Sequence, residues 1–170
     1  MKKKAERSIV KINRPWFWIL SLTWGGLLTV CGLLVSAVML LTGHKPRRWG
    51  YCWYFEIGKK NWGGCEWGPV FLKDKAQGEH IKNHEFGHGI QNCFLGPFMI
   101  FLVSAPSSLR YWYRRIKVWR KKPLKTNYDD IWFEGQATRL GTEKMKRLRA
   151  IQRKQYADKM SQSEMTISKA

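Results

Sequence analysis

The chain has 170 residues, with 31 Lys and Arg against 12 Asp and Glu, and its formal net charge is +19. This length has room for about one domain, and the charge excludes an acidic cytosolic enzyme. The 44% content of hydrophobic residues excludes a disordered basic tail. Four cysteines without a C-x-x-C pair exclude a disulfide-dense scaffold and a cysteine-based zinc knuckle.

An uncharged segment over residues 16–42 follows a basic flank over residues 1–15. As a helix, the apolar residues from 16 to 41 would reach about 39 Å, whereas the hydrocarbon core of a bilayer measures about 30 Å. The segment therefore predicts one N-terminal transmembrane helix and a single-pass membrane protein. A buried core helix and a cleaved signal peptide are the alternatives, although a signal peptide has a shorter apolar region. Basic residues on both sides of the segment leave the orientation open.

Two aromatic and apolar runs within residues 50–72 flank the sequence GKKN at 58–61. A turn of this composition between two such runs predicts a β-hairpin. Cys52 and Cys65 would then lie nearly opposite each other, either as a disulfide or as two free thiols. A second apolar segment, over 94–105, is too short for a clean span and predicts a buried or re-entrant segment that does not cross the bilayer.

Residues 109–120 have apolar side chains at helical spacing, with bases in most other positions. In a chain with a membrane anchor, this pattern indicates a helix that lies on the anionic headgroups of the lipid bilayer. A nucleic acid is the less favoured partner for the same residues. The residues predicted to face the membrane surface are Arg110, Trp112, Arg114, Arg115, Lys117, Trp119, Arg120 and Lys121. The final residues, 155–170, lack apolar periodicity and predict a disordered tail.

The stretch from His84 to His88 reads HEFGH and lies in a region of helical pattern. Two histidines four residues apart leave the same face of a helix, so both imidazoles can bind one ion. Glu85 is placed to take a proton from a water molecule at that ion. His80 lies one further turn back, and the outer histidines of three consecutive turns lie about 12 Å apart. His80 is therefore predicted to lie beside the site or in solvent, and not to bind the ion.

A catalytic zinc site needs a third protein ligand and an open position for water. No histidine follows His88 in the sequence, so a carboxylate must serve. Glu134 is the best candidate because it lies in a helical segment flanked by apolar residues, where a charged side chain requires a partner. Asp129 and Asp130 are rivals, although a helix-capping role explains either of them.

These motifs together resemble a group of small bacterial membrane-associated proteins that carry the pattern H-E-[YFH]-G-H-x-[IL]-Q…G-P…P-S. The resemblance covers residues 54–141. More broadly, the chain is similar to gluzincin metallopeptidases, which are thermolysin-like zincins with two His ligands and one Glu ligand. The segments that carry the resemblance are WGG at 62–64, HEFGHGIQ at 84–91, LGP at 95–97, PS at 106–107 and WFE at 132–134.

The resemblance implies one zinc ion bound by His84, His88 and Glu134, with Glu85 as the catalytic base. It also implies an α+β fold, mainly helical, in which residues 43–154 form a zincin-like domain with a β-hairpin. Gluzincins usually have an Asp four residues after the ligand Glu, where it supports a ligand His, and this chain has Thr138 there. A hydroxyl can hydrogen-bond an imidazole but cannot supply the charge of a carboxylate.

The sequence thus predicts a membrane-bound, zinc-dependent hydrolase that cleaves the peptide bonds of an unidentified peptide or protein. Two alternatives stay open. One is a non-catalytic basic module that binds a membrane surface or a nucleic acid and has a structural or degenerate metal site. The other is a metal hydrolase that acts on bonds other than peptide bonds.

Overall fold

The computed structural model describes residues 11–58, 60, 62–124, 126–127 and 130–167. The fold is α+β and mainly helical, as predicted, with one small sheet. The helices are α1 Arg14–Leu22, α2 Gly26–Leu41, α3 Glu79–Leu95, α4 Ala105–Trp119 and α5 Trp132–Ile167, with a 3₁₀ turn at Gly96–Phe98 and a π-helical segment at Ile100–Ser104. The strands are β1 Arg47–Trp49, β2 Cys52–Ile57, β3 Gly64–Trp67 and β4 Val70–Asp74.

The sheet has the strand order β1-β2-β4-β3, with β3 at one edge. β4 pairs antiparallel with β3 and parallel with β2. The hairpin predicted across residues 58–61 is therefore wrong, because the strand that follows that loop pairs with β4; Lys59 and Asn61 of the loop lie outside the described residues. All five side chains of β4 are buried, which explains why this strand takes an interior position.

Cys52 and Cys65 are free thiols on strands that do not pair with each other. Cys52 is buried in β2, and Cys65 is exposed on the edge strand β3. β4 lies between their two strands, so the cysteines are not the opposed pair that the hairpin prediction placed together. Of the two alternatives that the sequence left open, the structure has the free thiols.

The apolar segment at residues 16–42 forms two helices and not the one straight helix that its composition predicts. α1 and α2 meet at an angle of 94°. The Thr29 hydroxyl donates to the Ser21 carbonyl across the bend (2.6 Å), and the Asn92 amide donates to the Gly25 carbonyl (3.3 Å). Glycine is a poor helix former, so the pair of glycines at 25 and 26 is a natural place for the helix to break.

None of the helices in the described part of the chain is by itself long and apolar enough to cross a bilayer. Two bent pairs of helices satisfy that test together by length and composition. The first is α1 with α2, and the second is Glu79–Phe98 with Ile100–Trp119, whose two helices are bent by 115°. The transmembrane prediction thus stays a prediction, and α2 alone has 16 residues.

α1 is part of the hydrophobic core that the sheet shares with α3 and α5. Phe17 is fully buried, and its ring centroid lies 5.5 Å from that of Tyr51 and 6.2 Å from that of Phe86. The Lys144 ammonium group of α5 donates to the Ile12 carbonyl just before α1. The segment predicted as a separate anchor therefore packs against the rest of the fold.

The chain turns sharply in the segment 94–105, which the sequence predicts to be buried or re-entrant. The turn starts at Gly96, which has a φ of 54° and lies against the Trp24 indole. Met99 and Val103 are buried after the turn and pack with residues of α2 and α5 in a second cluster. The segment thus folds back and brings α4 to the side of α3.

α3 and α5 pack with their backbones in contact at two glycines. A Cβ atom at Gly87 would lie 1.9 Å from the Ala137 carbonyl oxygen, and one at Gly141 would lie 1.7 Å from the Asn83 carbonyl oxygen. Neither position can hold a side chain unless the two helices move apart. The glycines therefore set the short distance between the helix of the histidine motif and the helix that contains Glu134.

α5 continues to Ile167, so the tail predicted to be disordered from residue 155 is helical over 155–167. Its side chains from 151 to 163 are exposed. The stretch contains no Gly or Pro that would end the helix, which is the local reason for its continuation without apolar periodicity.

Candidate metal centre

His84, His88 and Glu134 meet inside the fold, and all three are buried. α3 presents the two histidines one turn apart, and the first turn of α5 presents Glu134. The two Nε2 atoms lie 3.1 Å apart, and each of them lies 3.1 Å from Oε2 of Glu134. The three atoms form a nearly equilateral triangle, which brings together the three ligands that the sequence proposed.

This triangle fits a tetrahedral metal ion. Ligand atoms at about 2.0 Å from a tetrahedral zinc ion lie about 3.3 Å from one another, which is close to the 3.1 Å of this site. The side chain of Ser107 hydrogen-bonds the Glu134 carboxylate, and Oε2 is the oxygen that faces the two imidazoles. The three side chains could therefore hold a metal ion.

The outer nitrogen of His88 has a partner that fixes its tautomer. Nδ1 of His88 lies 2.8 Å from Oε1 of Gln91. The Gln91 amide nitrogen donates to the Phe133 carbonyl (3.0 Å), so the amide oxygen must face the imidazole. Because this oxygen can only accept, Nδ1 of His88 is the protonated nitrogen. Neutral His88 thus presents a bare Nε2 to the triangle, which is the form that binds a metal ion.

Replacement of Gln91 by Ala should weaken zinc binding by about 10- to 100-fold, the usual effect of losing the partner of a ligand histidine. The cause is that His88 loses the acceptor that holds its tautomer. Competition with a chromophoric chelator measures the affinity. Gln136→Ala is the matched control, because Gln136 accepts from the same amide on the side away from the imidazole. Equal zinc affinity in the two variants would contradict the role of Gln91.

The buried charges of the site stabilise one another. Burial alone would lower the pKa of His88, but the hydrogen bond to Glu134 and the charges of nearby acids raise it to about 9. Burial would raise the pKa of Glu134, but hydrogen bonds from His84 and His88 hold it well below its usual range. A metal ion must displace the proton of His88, so its affinity is expected to increase as the pH rises.

Glu85 is buried beside the triangle and against the edge strand β3. A Cβ atom on Gly64 would lie 2.5 Å from Oε1 of Glu85, so the strand backbone passes directly over the carboxylate. Burial raises the pKa of Glu85, whereas the charges of His84 and His88 lower it. Glu85 is not a member of the ligand group, which agrees with the separate role that the sequence predicts for it.

A cavity of about 590 Å³ opens beside the triangle, between β3, α3 and α4. His80 lies at the cavity wall and outside the ligand group, as predicted. The Thr138 hydroxyl lies 2.8 Å from Nδ1 of His84, which is the contact that the comparison with gluzincins suggested. Asp130 is exposed and accepts from the backbone N–H of Asn127 (2.8 Å), and its rival Asp129 lies outside the described residues.

α4 forms the predicted basic helix, and none of its side chains is buried. Leu109 and Trp119 are 73% and 79% exposed. Arg110 and Arg114 are half-buried and donate to the Asn127 and Thr126 carbonyls of the loop before α5. The remaining members of the predicted membrane-surface set are exposed or half-buried on α4 and just after it: Trp112, Arg115, Lys117, Trp119, Arg120 and Lys121.

The sequence interpretation missed two polar residues of the site, Gln91 and Glu66. Gln91 lies inside the motif, three residues after the second ligand, and its position on the same helix face was an available signal. Glu66 lies in the cavity wall and is 8% exposed. A single acid among the aromatic residues of a strand is the same kind of signal that identified Glu134.

Comparisons of the chain with known protein families, with curated proteins and with solved structures found no match. The resemblance to small bacterial HExxH proteins and to gluzincins thus stays a prediction from the motifs.

Proposed function

We propose that this chain is a membrane-bound zinc peptidase. The observation that carries the proposal is the triangle of His84, His88 and Glu134, with a separate buried carboxylate, Glu85, at the wall of the same cavity. Structural zinc sites usually have four protein ligands, whereas three ligands and an open side are typical of catalytic zinc. The arrangement therefore favours a catalytic site over a structural one.

Zinc is the metal that the donor set favours. Two imidazole nitrogens and one carboxylate form a common ligand set of catalytic zinc, whereas magnesium and calcium prefer ligand sets made of oxygen alone. Zinc, when bound, supplies a Lewis acid that polarises a substrate carbonyl and acidifies a water molecule. His84, His88 and Glu134 would hold it, and Gln91 and Thr138 orient the two imidazoles.

Glu85 is the group that moves the proton in this proposal. It accepts a proton from the attacking water and donates it to the nitrogen of the leaving amine. Burial raises the pKa of Glu85, and a raised pKa suits a carboxylate that must both take and give a proton near neutral pH. Glu85 lies against the backbone of β3. A peptide bound along that strand would therefore have its backbone close to the base.

The edge strand favours a peptide as the substrate. β3 pairs with β4 on one side only and lines the cavity beside Glu85. An extended peptide can add to such an edge as a further strand and be held by main-chain hydrogen bonds. This is the reason for proposing peptide bonds over the other bonds that zinc hydrolases cleave.

Zinc content and peptide hydrolysis, measured on the same purified samples, test the proposal. We expect one zinc ion per chain in the wild type and cleavage of an unstructured peptide mixture, detected by mass spectrometry. His84→Ala, His88→Ala and Glu134→Ala should each lose zinc and cleavage, because metal affinity depends on all three ligands. His80→Ala is the control, since it lines the cavity without binding the ion. Zinc retained at full stoichiometry in all three ligand variants would contradict the site.

The membrane is the proposed location because two helices expose apolar faces. α2 packs against the sheet on one side and exposes large apolar residues on the other, with Leu41 88% exposed. α4 exposes Leu109 and Trp119 among its bases. Contiguous apolar patches mark interaction surfaces, and interleaved bases suit anionic lipid headgroups.

Neutralising the outward bases of α4 should weaken binding to anionic vesicles. Each base near such a surface contributes about 1 kcal/mol, so the variant with Arg115, Lys117, Arg120 and Lys121 all changed to Gln should lose most of its preference for anionic over neutral vesicles. The full chain is used in sedimentation assays, because Phe17 belongs to the core. The control changes four exposed bases of α5 to Gln: Arg147, Arg153, Lys154 and Lys159. If vesicle binding holds while binding to nucleic acid collapses, α4 is a nucleic-acid surface.

A further inference from the structure

Glu66 is a buried carboxylate that the proposed mechanism does not use. It lies on the edge strand β3 and lines the cavity, yet it is only 8% exposed. Its Oε1 atom is buried and has no hydrogen-bond partner among the described residues. The carboxylate accepts a hydrogen bond from the backbone of Gly68, so one of its two oxygens is left over. A buried carboxylate oxygen without a partner is costly, and a ligand in the cavity that donates to this oxygen would explain its presence there.

The position of Glu66 relates it to the proposed reaction centre. Gly64 lies against Glu85, and Glu66 is two residues further along the same strand. Residues two apart lie on one face of a strand, about 7 Å from each other. Glu66 is also outside the metal-ligand group. The backbone of Glu66 therefore lies about one substrate residue along β3 from the point where the strand passes Glu85.

The charges around the cavity compensate Glu66 only in part, because burial and the charge of Glu85 raise its pKa to about 8 although the charge of His88 and the Gly68 hydrogen bond lower it. With a doubly charged ion, the ligand carboxylate of Glu134 is already neutralised, and Glu85 is needed for proton transfer. Arg114, the arginine in the cavity wall, donates to the Thr126 carbonyl. Glu66 is thus the acid in this wall that neither the ion nor the reaction accounts for, although the outer surface of the chain is strongly basic.

We infer that Glu66 binds a positively charged nitrogen of the substrate, and that the peptidase prefers peptides with a cation next to the scissile bond. The inference rests on the proposed function and adds a substrate class to it. The cation can be the free α-amino group of the peptide or the side chain of Lys or Arg. A peptide that lies along β3 with its scissile bond near Glu85 can offer either group to Glu66, two residues along the strand.

Binding of matched peptides to the zinc-loaded full chain tests this inference. The probes are four pentapeptides that combine a free or acetylated N-terminus with a Lys or norleucine side chain, and indole fluorescence reports binding because Trp62 and Trp112 line the cavity. We expect the peptide that has neither cation to bind at least tenfold more weakly than the best cationic peptide. The two singly modified peptides show which nitrogen is recognised.

Glu66→Gln should abolish the preference and leave the affinity for the uncharged peptide within twofold, because the amide keeps the shape and loses the charge. Glu143→Gln, which changes an exposed glutamate of α5, is the control and should keep the preference. The inference is overturned if the wild type binds all four peptides equally, if none of them binds, or if Glu66→Gln retains the preference. The comparison of the four peptides on the wild-type chain tests the inference even if the Glu66→Gln chain fails to fold.

Hydrolysis of the same peptides separates this inference from the proposed function. Preferential binding of cationic peptides without any cleavage would remove the peptidase proposal and leave the role of Glu66 intact. Cleavage of all four peptides at equal rates would support the peptidase proposal and remove the role of Glu66 in substrate preference.

Discussion

Glu85→Gln should retain one zinc ion per chain and lose at least 100-fold in peptide hydrolysis. General acid–base catalysis contributes about 10²- to 10⁴-fold to rates, and the amide has the shape of the carboxylate but cannot accept a proton. The metal should stay because the three ligand atoms, 3.1 Å apart, do not include Glu85. Elemental analysis and a discontinuous peptide assay on one preparation give both numbers.

Glu79→Gln is the matched control for that experiment. It makes the same chemical change on the same helix, at an exposed residue whose partner is Arg149 on α5 (2.8 Å). Its hydrolysis should stay within twofold of the wild type. Loss of zinc from Glu85→Gln would show that Glu85 is a ligand, and full hydrolysis in that variant would move the proton transfer to another group.

Gly141→Ala should destabilise the fold by about 2 kcal/mol and weaken zinc binding more than tenfold. The new methyl group would meet the Asn83 carbonyl at 1.7 Å, so α3 and α5 must separate, and overpacking of this kind costs about 1–3 kcal/mol or more. Alanine is the better helix former by about 1 kcal/mol, which offsets part of the cost. Zinc binding falls because the separation moves Glu134 away from the histidines.

Denaturant unfolding and chelator competition measure these two effects. Gly26→Ala is the control, because a Cβ atom there meets nothing within 4 Å, and it should be neutral or stabilising. A Gly141→Ala chain with unchanged stability and unchanged zinc affinity would mean that the helices do not need their close approach.

The sequence predicted the metal site better than the sheet, and the reason is the range of the interactions. His84, Glu85 and His88 are related by a single helical turn, which local periodicity predicts. Glu134 was predicted because a charge between apolar neighbours needs a partner, although the partner is on another helix. The pairing of β2 with β4 depends on a crossing of the chain that no local pattern encodes. The orientation of the Gln91 amide also depends on a distant group, the Phe133 carbonyl, although the place of Gln91 on the helix face of His88 was a local signal.

The bend between α1 and α2 is a second feature that could not be predicted from the sequence. An apolar run of this length predicts a continuous helix, and hydrophobicity alone does not distinguish a straight span from a helix that breaks at paired glycines. The 94° bend has a local contact, from Thr29 to the Ser21 carbonyl, and a tertiary one, from Asn92 at the end of α3 to the Gly25 carbonyl. A side chain far along the sequence therefore contributes to the shape of the first apolar segment.

The contact between Lys144 and the Ile12 carbonyl has a consequence for the order of events during synthesis. It joins the two ends of the folded unit, and the core around Phe17 also includes Leu140 and Met145 of α5. A chain that is still being translated can form α3 with its two histidines, but it has neither Glu134 nor the surface that closes the core. Contacts so distant along the chain form late in folding. The candidate ion site is therefore complete only after α5 has been made and has packed against α3.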